Sequence, residues 1–280
     1  MNQPLLEVRD LQVSFGRRRA EAVRGVSFTL EPGERLGVIG ESGSGKTVTA
    51  LSVMGLLPEN AHVRGSVVLD GTQMVGLDER GLSRLRGDAV SMVFQEPMTA
   101  LDPTMRVGRQ VAEVLRLHQG AEAGPARDRV VAMLDEVGLA DPERVADAFP
   151  HELSGGQRQR AILAMALINS PGLVICDEPT TALDVTVQAL VLAKLDEVLD
   201  ASGAACLFIS HDLAVVSQVC DHVLVMLDGR IVESGSVARL FTAPEHPYTR
   251  GLVATAQLDR VAPGTRLPTV EDFYAEAGHD

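Results

Sequence analysis

The run Gly40-Glu41-Ser42-Gly43-Ser44-Gly45-Lys46-Thr47 constrains this chain more than any other stretch. It fits GxxxxGK[ST] in full. The short apolar segment Arg35-Leu36-Gly37-Val38-Ile39 precedes it, and Thr47–Leu57 follows with helical spacing. Strand, glycine-rich loop and helix in that order make a cradle for phosphate. Glycines let the backbone wrap tightly, so that several N–H groups converge on one point, and the helix N-terminus adds the positive end of its dipole. Lys46 is placed to reach β- and γ-phosphates and Thr47 to ligate Mg²⁺, so the expected ligand is ATP with Mg²⁺. A dinucleotide loop of the GxGxxG type would need a third glycine where Val48 stands.

Two further motifs lie downstream. Leu173-Val174-Ile175-Cys176-Asp177-Glu178 is an apolar strand ending in two carboxylates. Asp177 suits Mg²⁺ in the manner of a Walker B aspartate, and Glu178, just beyond the strand end, is placed to polarise an attacking water. Leu153-Ser154-Gly155-Gly156-Gln157 opens a helical run, with Ser154 as a good N-cap. On physical grounds alone it reads as a capped helix start that is able to bind phosphate.

The whole chain narrows the function classes. Its 280 residues carry a formal net charge of −13, which disfavours nucleic acid as main ligand and resists adsorption to anionic lipid. Cys176, Cys206 and Cys220 are scattered with no CxxC spacing, so free buried thiols in a reducing compartment are expected rather than a disulfide framework or a zinc site. The N-terminus MNQPLLEVRD lacks the basic start and apolar stretch of a signal peptide. The longest unbroken apolar run, Ala161–Ile168, is far short of a membrane span, so a cytoplasmic location is expected.

Strand-like segments open the chain at Leu5–Val8, Leu11–Phe15 and Ala22–Leu30. Between 98 and 150 strand patterns vanish, and Val107–Leu117 and Ala126–Val137 have helical periodicity, which reads as a helical insertion of about 98–160 in an α/β core. Alternation then resumes with a helix near Gly156–Asn169, a strand at Leu173–Cys176, a helix at Val185–Ala201, a strand at Ala205–Ser210 and a helix at Leu213–Val219. A hairpin follows around Asp228-Gly229. One domain over 1–260 and a loosely ordered tail over 261–280 are expected.

Taken together, LSGGQ between a phosphate loop and a carboxylate-ended strand resembles the signature of the ATP-binding cassette (ABC) superfamily. Gln95 in Val93-Phe94-Gln95-Glu96-Pro97 resembles the Q-loop glutamine, a Mg²⁺ and nucleotide sensor. Thr181-Ala182-Leu183-Asp184 resembles the D-loop, His211 in Ile209-Ser210-His211-Asp212 the switch histidine on the γ-phosphate, and Phe15 the aromatic that stacks on adenine. The resemblance covers about residues 5–255. It implies an α/β P-loop NTPase core with a mostly parallel sheet, an N-terminal antiparallel β subdomain and an inserted α-helical subdomain. It also implies two cassettes facing head to tail, with Ser154, Gly155, Gly156, Gln157 and Asp184 serving nucleotide at the shared site.

Ser42–Pro58, Phe94–Pro103, Pro150–Arg160 and Glu245–Thr249 (EHPYT) further resemble the oligopeptide, dipeptide and nickel importer branch. That implies an ATPase on the cytoplasmic face of the membrane, bound to permease subunits fed by a solute-binding protein, with a second cassette that is identical or different. Some members carry a C-terminal iron–sulfur cluster; no cysteine follows Cys220, so none is expected here. The alternative is a soluble ABC ATPase without a transport role, such as a subunit of a phosphonate-cleaving complex.

Overall fold

A computed structural model describes residues 3–94, 100–181 and 183–256. Gln95, Ala182 and the tail expected after 260 lie outside the described residues.

The core is a six-stranded sheet in the order β10-β9-β3-β8-β7-β6. Its members are β3 (Arg35–Ile39), β6 (Val90–Val93), β7 (Leu173–Asp177), β8 (Ala205–Ser210), β9 (His222–Leu227) and β10 (Arg230–Ser236). All neighbours run parallel except the β9–β10 hairpin. Every residue of β6, β7 and β8 is buried, as expected for parallel strands covered on both faces. The period-2 alternation of side chains divides them between two apolar clusters. Leu173 and Ile175 pack on the side of β1 (Leu6–Phe15), β2 (Ala20–Leu30) and β4 (Ala61–Leu69), while Val174 and Cys176 pack on the side of the helices. With β5 (Thr72–Gln73), these N-terminal strands form a four-stranded sheet, β2-β1-β4-β5, whose paired strands are all antiparallel. The expected architecture of mostly parallel core and antiparallel β subdomain is therefore present.

The two early strands expected at 5–8 and 11–15 are one strand. Asp10 sits at a positive φ of 45° inside it, and the pairing register shifts between Val8 and Leu11 on one side and between Arg9 and Gln12 on the other. A bulge of this kind keeps a strand continuous while breaking its alternation, which is why it read as two.

The helical region contains α3 (Val107–Gln119), α4 (Ala123–Glu136) and α5 (Pro142–Asp147), after α1 (Lys46–Met54) and α2 (Glu79–Leu85). Val107, Val111 and Leu115 form one buried stripe on α3, and Ala126, Val130 and Leu134 form another on α4. Both stripes join the core cluster on the helical side of the large sheet. Burial of each Val or Leu there contributes about 1.5–3 kcal/mol. The chain continues through α6 (Gly155–Leu167), α7 (Val185–Ser202), α8 (Leu213–Val219), α9 (Val237–Thr242) and α10 (Pro247–Ala256). Among the described residues, no helix is long and apolar enough to cross a membrane.

Candidate nucleotide site

Strands β3, β8 and β7 are adjacent and parallel, and each ends at residues singled out by the sequence. Ile39 leads into the glycine loop, Ser210 into His211, and Asp177 into Glu178. Register sets these ends level, with Ile39 opposite Ser210 and Asp177 opposite Ile209. The carboxyl ends of parallel strands are where open α/β sheets bind ligands.

The loop is built for close backbone approach. A Cβ on Gly40 would fall 2.2 Å from the Met226 carbonyl oxygen, and one on Gly45, at a φ of +100°, would fall 2.6 Å from the Ala22 carbonyl oxygen. No side chain caps α1, and its first turn has no acidic residue. Its N-terminus is thus left to an external anion. Among the described residues, Ser44 Oγ is buried without a hydrogen-bond partner. A cavity of about 310 Å³ opens here, lined by Ser42, Gly43, Gly45, Lys46, Thr47 and Glu178, with Ala22 and Val48. An orphaned hydroxyl, a cradle that a Cβ would fill and a capless helix start all fit a phosphate chain.

Lys46 Nζ donates to the carbonyl oxygens of Gly40 at 2.7 Å and Glu41 at 2.9 Å. An ammonium has three donors, so one remains for phosphate. Burial pulls its pKa below the usual lysine range, and the carboxylates of Glu178, Asp177 and Glu41 oppose that shift. Thr47 Oγ1 donates to Asp177 Oδ1 at 3.2 Å. Burial raises the Asp177 carboxyl above the ordinary aspartate value; the Thr47 hydroxyl lowers it, Glu178 raises it and Lys46 lowers it. A hydroxyl and a carboxylate this close are hard oxygen donors of the kind Mg²⁺ takes, so the residues present fit that ion.

Glu178 and His211 meet: His211 Nδ1 lies 3.1 Å from Glu178 Oε2, and Thr181 Oγ1 donates to the same oxygen at 2.9 Å. His211 is more than half exposed, whereas the Glu178 side chain is 14% exposed. Lys46, Thr47, Asp177, Glu178 and His211 are therefore brought to one end of the sheet.

The other expected residues are placed elsewhere. Phe15 ends β1 and is half-buried against the core around that strand, and it is not among the residues lining the 310 Å³ cavity. Ser154 Oγ accepts from the Gln157 N–H at 3.3 Å, while Gln157 Oε1 accepts from the Ser154 N–H at 2.9 Å. This reciprocal cap rigidifies the start of α6, and the Ser154 hydroxyl hydrogen remains available to donate. Ser154 and Gly155 are exposed and Gly156 is buried, where a Cβ would strike Val187 of α7 at 2.3 Å. Asp184 caps α7 by accepting from the Val187 N–H at 3.0 Å. All three cysteines are free and buried.

Residues missed in the sequence brace the loop. Gly229, in the hairpin turn, donates its N–H to the Ser44 carbonyl at 3.1 Å. Tyr248 accepts the Glu41 N–H on its hydroxyl at 2.7 Å.

Comparisons with known proteins identify the family and the fold. Residues 23–181 match the family model described as ABC transporter. The chain is 52% identical over 269 residues to the oligopeptide transport ATP-binding protein OppD of Mycobacterium bovis, covering 94% of this chain and 44% of that protein. It thus spans less than half the length of that relative. It is 47% identical over 270 residues to a probable peptide ABC transporter ATP-binding protein, y4tR, of Sinorhizobium fredii, covering 95% of this chain and 81% of that one. Its fold matches a solved dimer of the ATP-binding cassette MJ0796, in a post-hydrolysis state bound to ADP and Pi. The TM-score is 0.73 at 26% identity, over 83% of this chain and 98% of that one. The chain belongs to the ABC transporter family, among its ATP-binding cassettes.

Proposed function

We propose that this chain is the ATP-hydrolysing subunit of a peptide importer, acting as one of two head-to-tail cassettes on a permease at the cytoplasmic face of the membrane. A solute-binding protein would deliver the peptide. The observation that carries the reading is the convergence of Lys46, Thr47, Asp177, Glu178 and His211 at the ends of β3, β7 and β8. The two relatives named for peptide transport favour peptides over nickel or metal chelates, and transport over a soluble ATPase.

Lys46 and the loop N–H groups hold the phosphate chain. Thr47 and Asp177, with Gln95, would hold Mg²⁺, which when bound neutralises phosphate charge. Glu178 orients the attacking water, and its bond to His211 sets its direction towards the γ-phosphate. Such catalysis is positioning and charge stabilisation, not covalent chemistry. Ser154, Gly155, Gly156, Gln157 and Asp184 serve the nucleotide of the opposing cassette. Solubilisation of membranes with the chain as bait should recover permease subunits, and the reconstituted assembly should hydrolyse ATP faster with peptide-loaded binding protein. Recovery only in a soluble complex without permease would overturn the transport role.

A further inference from the structure

The EHPYT segment lies far from the phosphate loop in sequence, yet one of its side chains reaches that loop. Tyr248, on α10, is 2% exposed, and its hydroxyl accepts the Glu41 N–H at 2.7 Å across 207 residues of sequence. The same arm of the loop supplies the carbonyls of Gly40 and Glu41 to Lys46 Nζ. One peptide is therefore held from two sides, by Tyr248 at its N–H and by Lys46 at its neighbouring carbonyls.

The tyrosine is itself firmly seated. Glu233 of β10 accepts the N–H groups of Glu245 and His246, both at 2.9 Å, and so fixes the approach to α10. His246 Nδ1 accepts the Tyr248 N–H at 3.2 Å. Burial pushes the Tyr248 hydroxyl up to about 12, outweighing the Glu41 N–H, which pulls it down, so it stays protonated at physiological pH. Farther along the helix, Leu252 and Thr255 line a cavity of about 320 Å³ shared with Ile39 and His211.

We infer that Tyr248 is a positioning residue for the nucleotide site: its hydroxyl fixes the Glu41 peptide and, through the Gly40 and Glu41 carbonyls, the place of the Lys46 ammonium. The inference rests on the ATP-site reading above. Tyr248→Phe removes the hydroxyl and keeps the ring. A loop loosened before nucleotide arrives loses affinity, because part of the binding free energy must order it. Interactions of this uniform kind change KM more than kcat.

Isothermal titration of the full chain with MgATP should show Kd raised about 5–10-fold in Tyr248→Phe, equivalent to about 1–1.4 kcal/mol. Amide exchange at Glu41 should quicken in the same variant, while that of Val38 in β3 should not. Val253→Ala, which loosens the same helix without touching the hydroxyl, should lower thermal stability and leave Kd within about twofold. A Tyr248→Phe chain with wild-type Kd and wild-type Glu41 exchange overturns the inference. So does a Val253→Ala chain that weakens MgATP as much as Tyr248→Phe.

The wild-type chain provides a test independent of that variant's folding. It has two tyrosines, Tyr248 and Tyr274. With 3-fluorotyrosine incorporated and resonances assigned by Tyr274→Phe, the Tyr248 signal should shift on addition of MgATP, and an unmoved signal overturns the inference. Failure of the wild-type chain to bind MgATP would instead sink the ATP-site reading, while Glu41 exchange would still report the Tyr248 link.

Discussion

Glu178 stands in the left-handed region at a φ of 48°, directly before Pro179. For a residue with a Cβ this conformation costs about 1–2 kcal/mol, and a following proline restricts it further. Strain of this kind persists where the surroundings over-determine the backbone. Here the Glu178 N–H donates to the Ile209 carbonyl at 2.9 Å, and the carboxylate takes the Thr181 hydroxyl. Glu178→Gln should keep MgATP binding and lower hydrolysis by about 10²–10⁴-fold, the range for a lost general base. Glu178→Gly should abolish turnover equally. Its melting temperature should stay close to wild type, because relief of the left-handed strain offsets the extra entropy of an unfolded glycine, to within about 1 kcal/mol. An unchanged hydrolysis rate in Glu178→Gln would remove the residue from the chemistry, and a large stability loss in Glu178→Gly would remove the strain argument. At this scale the sequence was informative wherever function is written consecutively, as in Gly40–Thr47. It was silent on Tyr248, because no local pattern announces a hydroxyl that serves a backbone 207 residues away.

Among the elements, α10 shows how a short helix is tied to a sheet. Glu233 is 9% exposed, and its carboxylate is held below the usual range. Burial pushes it up, but the Glu245 N–H, the Thr249 hydroxyl, the His246 N–H and the charge of Arg239 together outweigh that. A folded pKa lower than the unfolded one stabilises the native state above the unfolded value, near 4.5. That contribution fades as pH falls through the folded value. Glu233→Gln should therefore cost about 1–2 kcal/mol at pH 7.5, from urea midpoints. The gap to wild type should narrow once the pH is well below 4.5. A gap that is constant with pH would mean that the charge contributes nothing. Element legibility follows burial. Strand β8 and helix α8 are legible to the residue, because a fully buried apolar run and an Asp212-capped helix leave few alternatives. Strand β1 was split by its bulge at Asp10. Strand β4 is not legible in the sequence. Its inner residues Val67 and Leu69 are buried, but the alternation of Ala61–Arg64 is only between half-exposed and exposed positions, and it breaks at Gly65.

For the whole molecule, the question is whether one chain or two complete the ATP site. Ser154 and Gly155 are exposed, and neither lines the cavity beside Lys46. Val185, at the start of α7 beside Asp184, is 81% exposed. A second copy arriving head to tail would place its Ser154 over this chain's phosphates and cover this region. Such pairing makes each site composite, which has a consequence that a self-contained site cannot imitate. Ser154→Arg damages every site in a pair of its own copies, and so does Lys46→Ala. In a mixed pair the two lesions fall on the same site: the phosphate loop of the Lys46→Ala chain faces the signature of the Ser154→Arg chain. The remaining site joins a wild-type loop to a wild-type signature. With random pairing half the pairs are mixed and each has one good site of two, so activity should recover to about a quarter of wild type. The check is ATP turnover of the two variants separately and after mixing and re-equilibration. If the mixture stays as inactive as its components, the sites do not form between copies of this chain. If Ser154→Arg alone retains full turnover, the signature serves no ATP at all.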